Sequence, residues 1–147
     1  MHKGRMIGLT LATLGLALVG GSLQATAAES PAVVAKTVAA APGMSPAPER
    51  ATYIGRYDFY DYNCPSGRAC LAVWNEAGSN WRVFDMYACT TYHLSNAYTG
   101  AIKNKQTGGA LVTMYGASGN FLYAFGVDTE PEPRSVNLEP VYTVRPC

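Results

Sequence analysis

Chemistry in this chain would have to come from four cysteines, one histidine outside the opening segment and a scatter of carboxylates. Cys64, Cys70, Cys89 and Cys147 could serve as zinc ligands, nucleophiles or disulfide partners. Structural zinc sites use paired C-x-x-C knuckles, which these spacings lack, and an even cysteine count behind an export-like N-terminus reads as two disulfides. Three connectivities are open. Pro65, Ser66 and Gly67 can turn the chain between Cys64 and Cys70, which favours that pair and leaves Cys89 to Cys147. The second bridge closes a long loop, contributes about 4 to 5 kcal/mol on a chain-entropy account, and pins Cys147 to the fold.

His93 lies in the polar stretch Thr90 to Asn96. Nucleophilic catalysis would need it beside a Ser or Thr and an Asp or Glu, and no nucleophile-elbow motif points to such a set. It reads as a surface loop histidine. Glu76 and Asp85 could in principle form a glycosidase-type carboxylate pair, yet both fall at ordinary polar positions beside a hairpin. The cysteines have a better use in disulfides, and neither a glycine-rich phosphate loop nor a histidine-pair metal motif occurs. The expectation is a non-enzyme without a cofactor.

The elements that would hold these residues begin well into the chain. Lys3 and Arg5, an apolar run from Met6 to about Val19 and the small residues Ala25, Thr26 and Ala27 form a secretory signal with an Ala-x-Ala cleavage site, so 1–27 is read as a signal peptide. The run is too short for a membrane anchor. Cleavage would reduce 11 basic residues to 9 against 10 acidic ones, a net charge of about −1. That balance argues against nucleic acid and anionic lipid as partners. Residues 28–50 are Ala, Val, Pro and Ser with almost no aromatics, which reads as a flexible leader or pro-segment.

A single domain, 51–147, follows, and all ten tyrosines and both tryptophans lie within it. Strands are expected near Tyr53 to Tyr60, Cys70 to Trp74, Trp81 to Met86, Ala101 to Lys103, Leu111 to Tyr115, Phe121 to Gly126 and Val141 to Val144. A helical turn is possible at Thr91 to Ala97. A repeat of about 40 residues underlies the pattern. Trp74, Gly78, Asn80 and Trp81 in one unit match Tyr115, Gly119, Asn120 and Phe121 in the other. Each set reads as a folded hairpin whose strand-end aromatic covers a reversal, with Gly78 and Gly119 taking φ > 0. The class is all-β, a small sandwich of two Greek keys with two disulfides.

The run Cys64-Pro65-Ser66-Gly67-Arg68-Ala69-Cys70-Leu71, the aromatic-x-x-x-Gly hairpin, Cys89, and Ile102 to Gly108 together resemble the small exported bacterial metalloproteinase inhibitors, peptidase inhibitor family 36. The resemblance covers about Asn63 to Cys147. It implies a βγ-crystallin-like fold and inhibition of thermolysin-like zinc proteases, with an extracellular protease as partner and a monomeric inhibitor. A rigid, disulfide-anchored loop would make the contact. Two loops are candidates: Thr90, Thr91 and Tyr92 after Cys89, and Glu130, Glu132 and Arg134 in the stretch stiffened by Pro131 and Pro133. βγ-crystallin-like domains often bind Ca²⁺; here Asn96 and Thr99 fit that pattern, while Ser95 and Gly100 remove expected oxygen ligands. The alternative is a polysaccharide-binding or structural module, with Tyr53, Tyr57, Phe59, Tyr60 and Tyr62 as a flat aromatic face.

Overall fold

A computed structural model describes residues 39–147. The expected signal segment, 1–27, lies outside the described residues, as does 28–38 of the expected leader. Ten strands run in chain order: β1 Gly43–Ser45, β2 Arg50–Ile54, β3 Ala69–Asn75, β4 Asn80–Met86, β5 Tyr92–Ser95, β6 Thr99–Asn104, β7 Val112–Tyr115, β8 Phe121–Phe125, β9 Arg134–Asn137 and β10 Thr143–Arg145. There is no helix among the described residues. The first sheet has the order β2-β4-β3-β6-β9 and the second β1-β5-β10-β7-β8, with antiparallel pairing throughout.

Period-2 alternation explains the core. Leu71, Val73, Phe84 and Ile102 of the first sheet meet Tyr92, Val112, Met114 and Val144 of the second, all at most 1% exposed. Each large apolar side chain so buried is worth about 1.5 to 3 kcal/mol. The repeat has a topological counterpart. β3 to β6 form one unit and β7 to β10 the other, and each lends its third strand, β5 or β9, to the sheet of its partner. Neither unit can therefore close its core alone.

The two hairpins of the repeat carry matching cross-strand aromatic pairs. Trp74 lies opposite Trp81, with ring centroids 5.1 Å apart in an edge-on arrangement, and Tyr115 opposite Phe121 at 6.1 Å. Gly119 has φ 78°, as the turn requires. In the first hairpin the positive φ falls on Ser79 at 47° instead of on Gly78. Gly78 answers a different demand: a Cβ there would sit 2.6 Å from Asn75 Nδ2 and 2.8 Å from Asn80 Oδ1, the pair whose hydrogen bond closes the loop. Both disulfides form as favoured, Cys64–Cys70 and Cys89–Cys147, with Cα separations of 5.9 and 5.5 Å.

Two further local expectations fail. The strand expected over Tyr53 to Tyr60 ends at Ile54, because Gly55 and Asp58 close a turn in which Gly55 N donates to Asp58 Oδ2 at 3.0 Å. The stretch Thr91 to Ala97 contains strand β5 in place of a helical turn, since Tyr92 and Leu94 alternate inward between β1 and β10. The domain also enters the fold at Gly43, ahead of residue 51. Met44 packs on the core, Asn96 Nδ2 donates to Ala41 O, Arg82 Nη1 donates to Pro42 O, and the Glu49 carboxylate accepts from Tyr87 N and Ala88 N at 2.7 and 2.8 Å. Strands β1 and β9 were invisible to pattern, each offering a single core-facing apolar residue beside prolines.

Candidate functional site

The outer face of the first sheet is where the molecule departs from its own repeat. Chain segment 55–68 leaves β2, lies over that face and returns through the Cys64–Cys70 bridge to β3. Phe59, 2% exposed, is its anchor, packed with Cys64, Cys70, Ala72, Val83 and Ala101 in a second small core. Two polar groups fasten it. Asp85, fully buried, accepts the Tyr62 hydroxyl at 2.8 Å and Arg50 Nε at 2.8 Å. Burial first, and the bond to Asp85 second, push the Tyr62 phenol up to about 12. Lys103, 5% exposed, donates from Nζ to the carbonyls of Tyr60 and Tyr62 at 2.7 and 3.0 Å and lies 5.5 Å from the Phe59 ring centroid. No described carboxylate lies within 4.0 Å of that amine. Burial, with Lys105 nearby, pulls it below the ordinary lysine value.

Segment 55–68 stops short of β9, and a groove remains between them. Its larger part is a cavity of about 420 Å³ walled by Phe59, Tyr60 and Trp81, with Thr99, Ser135 and Asn137 supplying hydroxyl and amide groups from β6 and β9. A second cavity of about 320 Å³ adjoins it, lined by Arg56, Trp74 and Glu76 and sharing Trp81 and Thr99 with the first. Both volumes fall in the range of small-ligand sites. The walls are held in place: Trp81 Nε1 donates to Arg56 O at 2.7 Å, and the Arg56 guanidinium lies 5.2 Å from the Trp74 ring. Such a groove can stack flat rings and exchange hydrogen bonds. The larger cavity contains no carboxylate, imidazole, thiol or amine that could move a proton.

Only part of the expected aromatic face is assembled. Phe59 and Tyr60 reach the groove, while Tyr62 is spent on Asp85, Tyr53 lies against Arg82 at 5.4 Å, and Tyr57 stands 76% exposed away from it. Trp74 and Trp81, read in the sequence as hairpin covers, are the missed groove residues. Their alternation signal was correct, but the groove depends on where segment 55–68 ends, which no local pattern states.

The other candidates are dispersed. Tyr92 is 1% exposed in the core, so the stretch after Cys89 cannot offer it to a partner; Thr90 and Thr91 form the short corner before β5. Glu130 and Glu132 are exposed on the β8–β9 connection, whereas Arg134 is an internal brace, paired with Asp128 Oδ1 at 2.5 Å. Asp128 Oδ2 in turn accepts from Asn104 N. For Ca²⁺, Asn96 is turned to Ala41 and Thr99 lines the groove; a serine at Gly100 would overlap Leu138 and place its Cβ 2.9 Å from Ala72 O. His93 is exposed and edge-on to Tyr142. Glu76 lies on the hairpin loop and Asp85 near the far end of β4, so they do not form a pair. No family model, curated protein or solved structure matches the chain.

Proposed function

We propose that this is an exported, non-enzymatic polysaccharide-binding domain, with the groove on the first sheet as its site. One observation carries the reading: two adjoining cavities share the Trp81 ring and are edged by side-chain hydroxyl and amide groups. Sugar rings present an apolar face and a hydroxyl rim, which match an aromatic platform with a polar border. Export is supported by two disulfides and by the N-terminal signal pattern. The purified protein should be retained on insoluble polysaccharide, Trp81→Ala should elute freely, and Tyr115→Ala, the equivalent position on the bare hairpin, should be retained. Equal retention of both variants would sink the groove as the site.

A second reading, inhibition of a thermolysin-like metalloprotease, is favoured by one further observation. The exchange of β5 and β9 between units supports the paired Greek-key arrangement that the inhibitor-family resemblance implies, and the Glu130 to Pro133 connection is braced at its base by Arg134 and Asp128. Titrating such a protease would test it: stoichiometric loss of protease activity, abolished by substitution of Glu130 and Glu132, is the expected result. Undiminished protease activity at equimolar protein would remove this reading.

A further inference from the structure

We infer that the groove selects an uncharged polysaccharide and holds it over at least two consecutive sugar units, with Trp81 as the platform between them. The inference rests on the polysaccharide reading and adds the ligand's charge and length. Charge comes first. The larger cavity has no carboxylate, imidazole, guanidinium or amine, and its polar groups, the Tyr60 hydroxyl with Thr99, Ser135 and Asn137, can each serve neutral hydroxyl or acetamido groups. The smaller cavity holds one guanidinium, Arg56, and one carboxylate, Glu76, neither within 4.0 Å of a described group of opposite charge. A polyanion entering there would gain Arg56 and meet Glu76, with no second cation to offset the repulsion. A sugar diol is served by both, Arg56 donating and Glu76 accepting.

Length follows from the division of the groove. Two cavities that share Trp81 and Thr99 are contiguous, so a single sugar can fill one and leave the other hydrated. A second unit then binds at the local concentration set by its link to the first. The second hairpin provides the internal contrast. Its Tyr115 and Phe121 pair has the same edge-on geometry but no covering segment among the described residues, and neither cavity of the groove reaches it.

Calorimetric titration of the intact protein with glucose and N-acetylglucosamine oligomers of one to six units, beside polygalacturonate, tests both halves. A neutral series should gain at least about 10-fold in affinity from one unit to three and then level off, changing under about 2-fold as salt is raised, because no ion pair is screened. Trp81→Ala should weaken binding by at least about 30-fold, the size of a stacked aromatic anchor. Should Trp81→Ala fail to fold, Ser135→Phe, on the exposed side of an edge strand, would fill the larger cavity and should abolish binding in a folded protein. Tighter, salt-sensitive binding of polygalacturonate would overturn the inference while leaving the polysaccharide reading in place. Equal affinity for one unit and six would overturn the two-unit site, and no binding by any of the three would overturn both the inference and the reading beneath it.

Discussion

The two hairpins of the repeat share a few sequence positions and matching cross-strand aromatic pairs, yet their outer faces end in opposite states. Beside Trp74 and Trp81, segment 55–68 buries Phe59 and Cys70 and leaves a groove at its margin. Beside Tyr115 and Phe121 no described segment covers the sheet, and Phe121 is 60% exposed. The repeated hairpins thus belong to the frame, whereas the groove depends on segment 55–68, which has no counterpart beside the second hairpin among the described residues. Removing that segment's anchor should consequently cost far more than removing the matching aromatic of the bare hairpin. Phe59→Ala is expected to destabilise by about 3 to 5 kcal/mol in urea unfolding, against under about 1 kcal/mol for Phe121→Ala. Similar losses would mean that segment 55–68 is not part of the cooperative unit.

The disulfides sharpen the same contrast at a slightly smaller scale. Cys89–Cys147 spans 58 residues and ties the two units to one another, while Cys64–Cys70 spans 6 and fastens only the covering segment. Loop-closure entropy assigns about 4 kcal/mol to the first and about 2 kcal/mol to the second. Paired Cys→Ala variants, followed by denaturant midpoint and by near-ultraviolet circular dichroism of the tryptophans, separate the two roles. Loss of Cys64–Cys70 should disturb the tryptophan signal, and loss of Cys89–Cys147 should lower the midpoint further with less spectral change while the protein stays folded. The reverse pattern would contradict the division of labour.

Much of the frame was legible in the sequence because it follows from local alternation. Leu71 and Val73, Val83 and Asp85, and Val112 and Met114 mark strands by period, and Pro65 to Gly67 mark the turn that lets Cys64 reach Cys70. What stayed hidden depends on partners distant in the chain. Tyr92 reads as a polar-loop aromatic until β1 and β10 flank it. Tyr62 reads as one of a flat tyrosine face until Asp85, 23 residues away, takes its hydroxyl. The groove is the extreme case. Phe59, Trp81 and Ser135 come from three separate parts of the chain, and its existence depends on how far one segment extends across a sheet.

The N-terminal clasp gives a smaller effect on the acid side. Glu49 accepts two backbone N–H groups from the β4–β5 connection; burial opposes its ionisation, but those bonds more than offset it and hold the carboxyl below its ordinary 4.5. Such a group stabilises the fold fully above pH 4.5 and less as pH falls through its lowered value. Glu49→Gln should therefore lose about 1 kcal/mol at neutral pH and a diminishing amount in acid. A constant difference from pH 7 down to about 3 would show that the charge on Glu49 is irrelevant.

The smallest expected effect, and the one most specific to the covered face, lies in alkali. Below pH 10 the Tyr62 phenol is protonated in both folded and unfolded chains. Between 10 and about 12 the unfolded chain releases that proton while the folded chain retains it against Asp85, so stability falls as pH rises. Lys103 works in the opposite sense, because its amine sits below the ordinary 10.5 when folded, and stability rises with pH between the lowered value and 10.5. Tyr92, raised by burial in the core, adds a falling limb shared by every variant that keeps it. Tyr62→Phe has no phenol to ionise. It should be less stable than the parent at pH 8 by about 1 kcal/mol for the lost hydrogen bond, and its alkaline decline should be shallower, so that the two unfolding free energies converge as pH rises above 10. Tyr115→Phe, on the bare hairpin, keeps both the Tyr62 network and the Tyr92 limb and should follow the parent's slope. Parallel curves for Tyr62→Phe and the parent would show that the hydroxyl is not held by Asp85, leaving Lys103, the Trp81 to Arg56 bond and the backbone bonds to Lys105 as the polar fastening of segment 55–68.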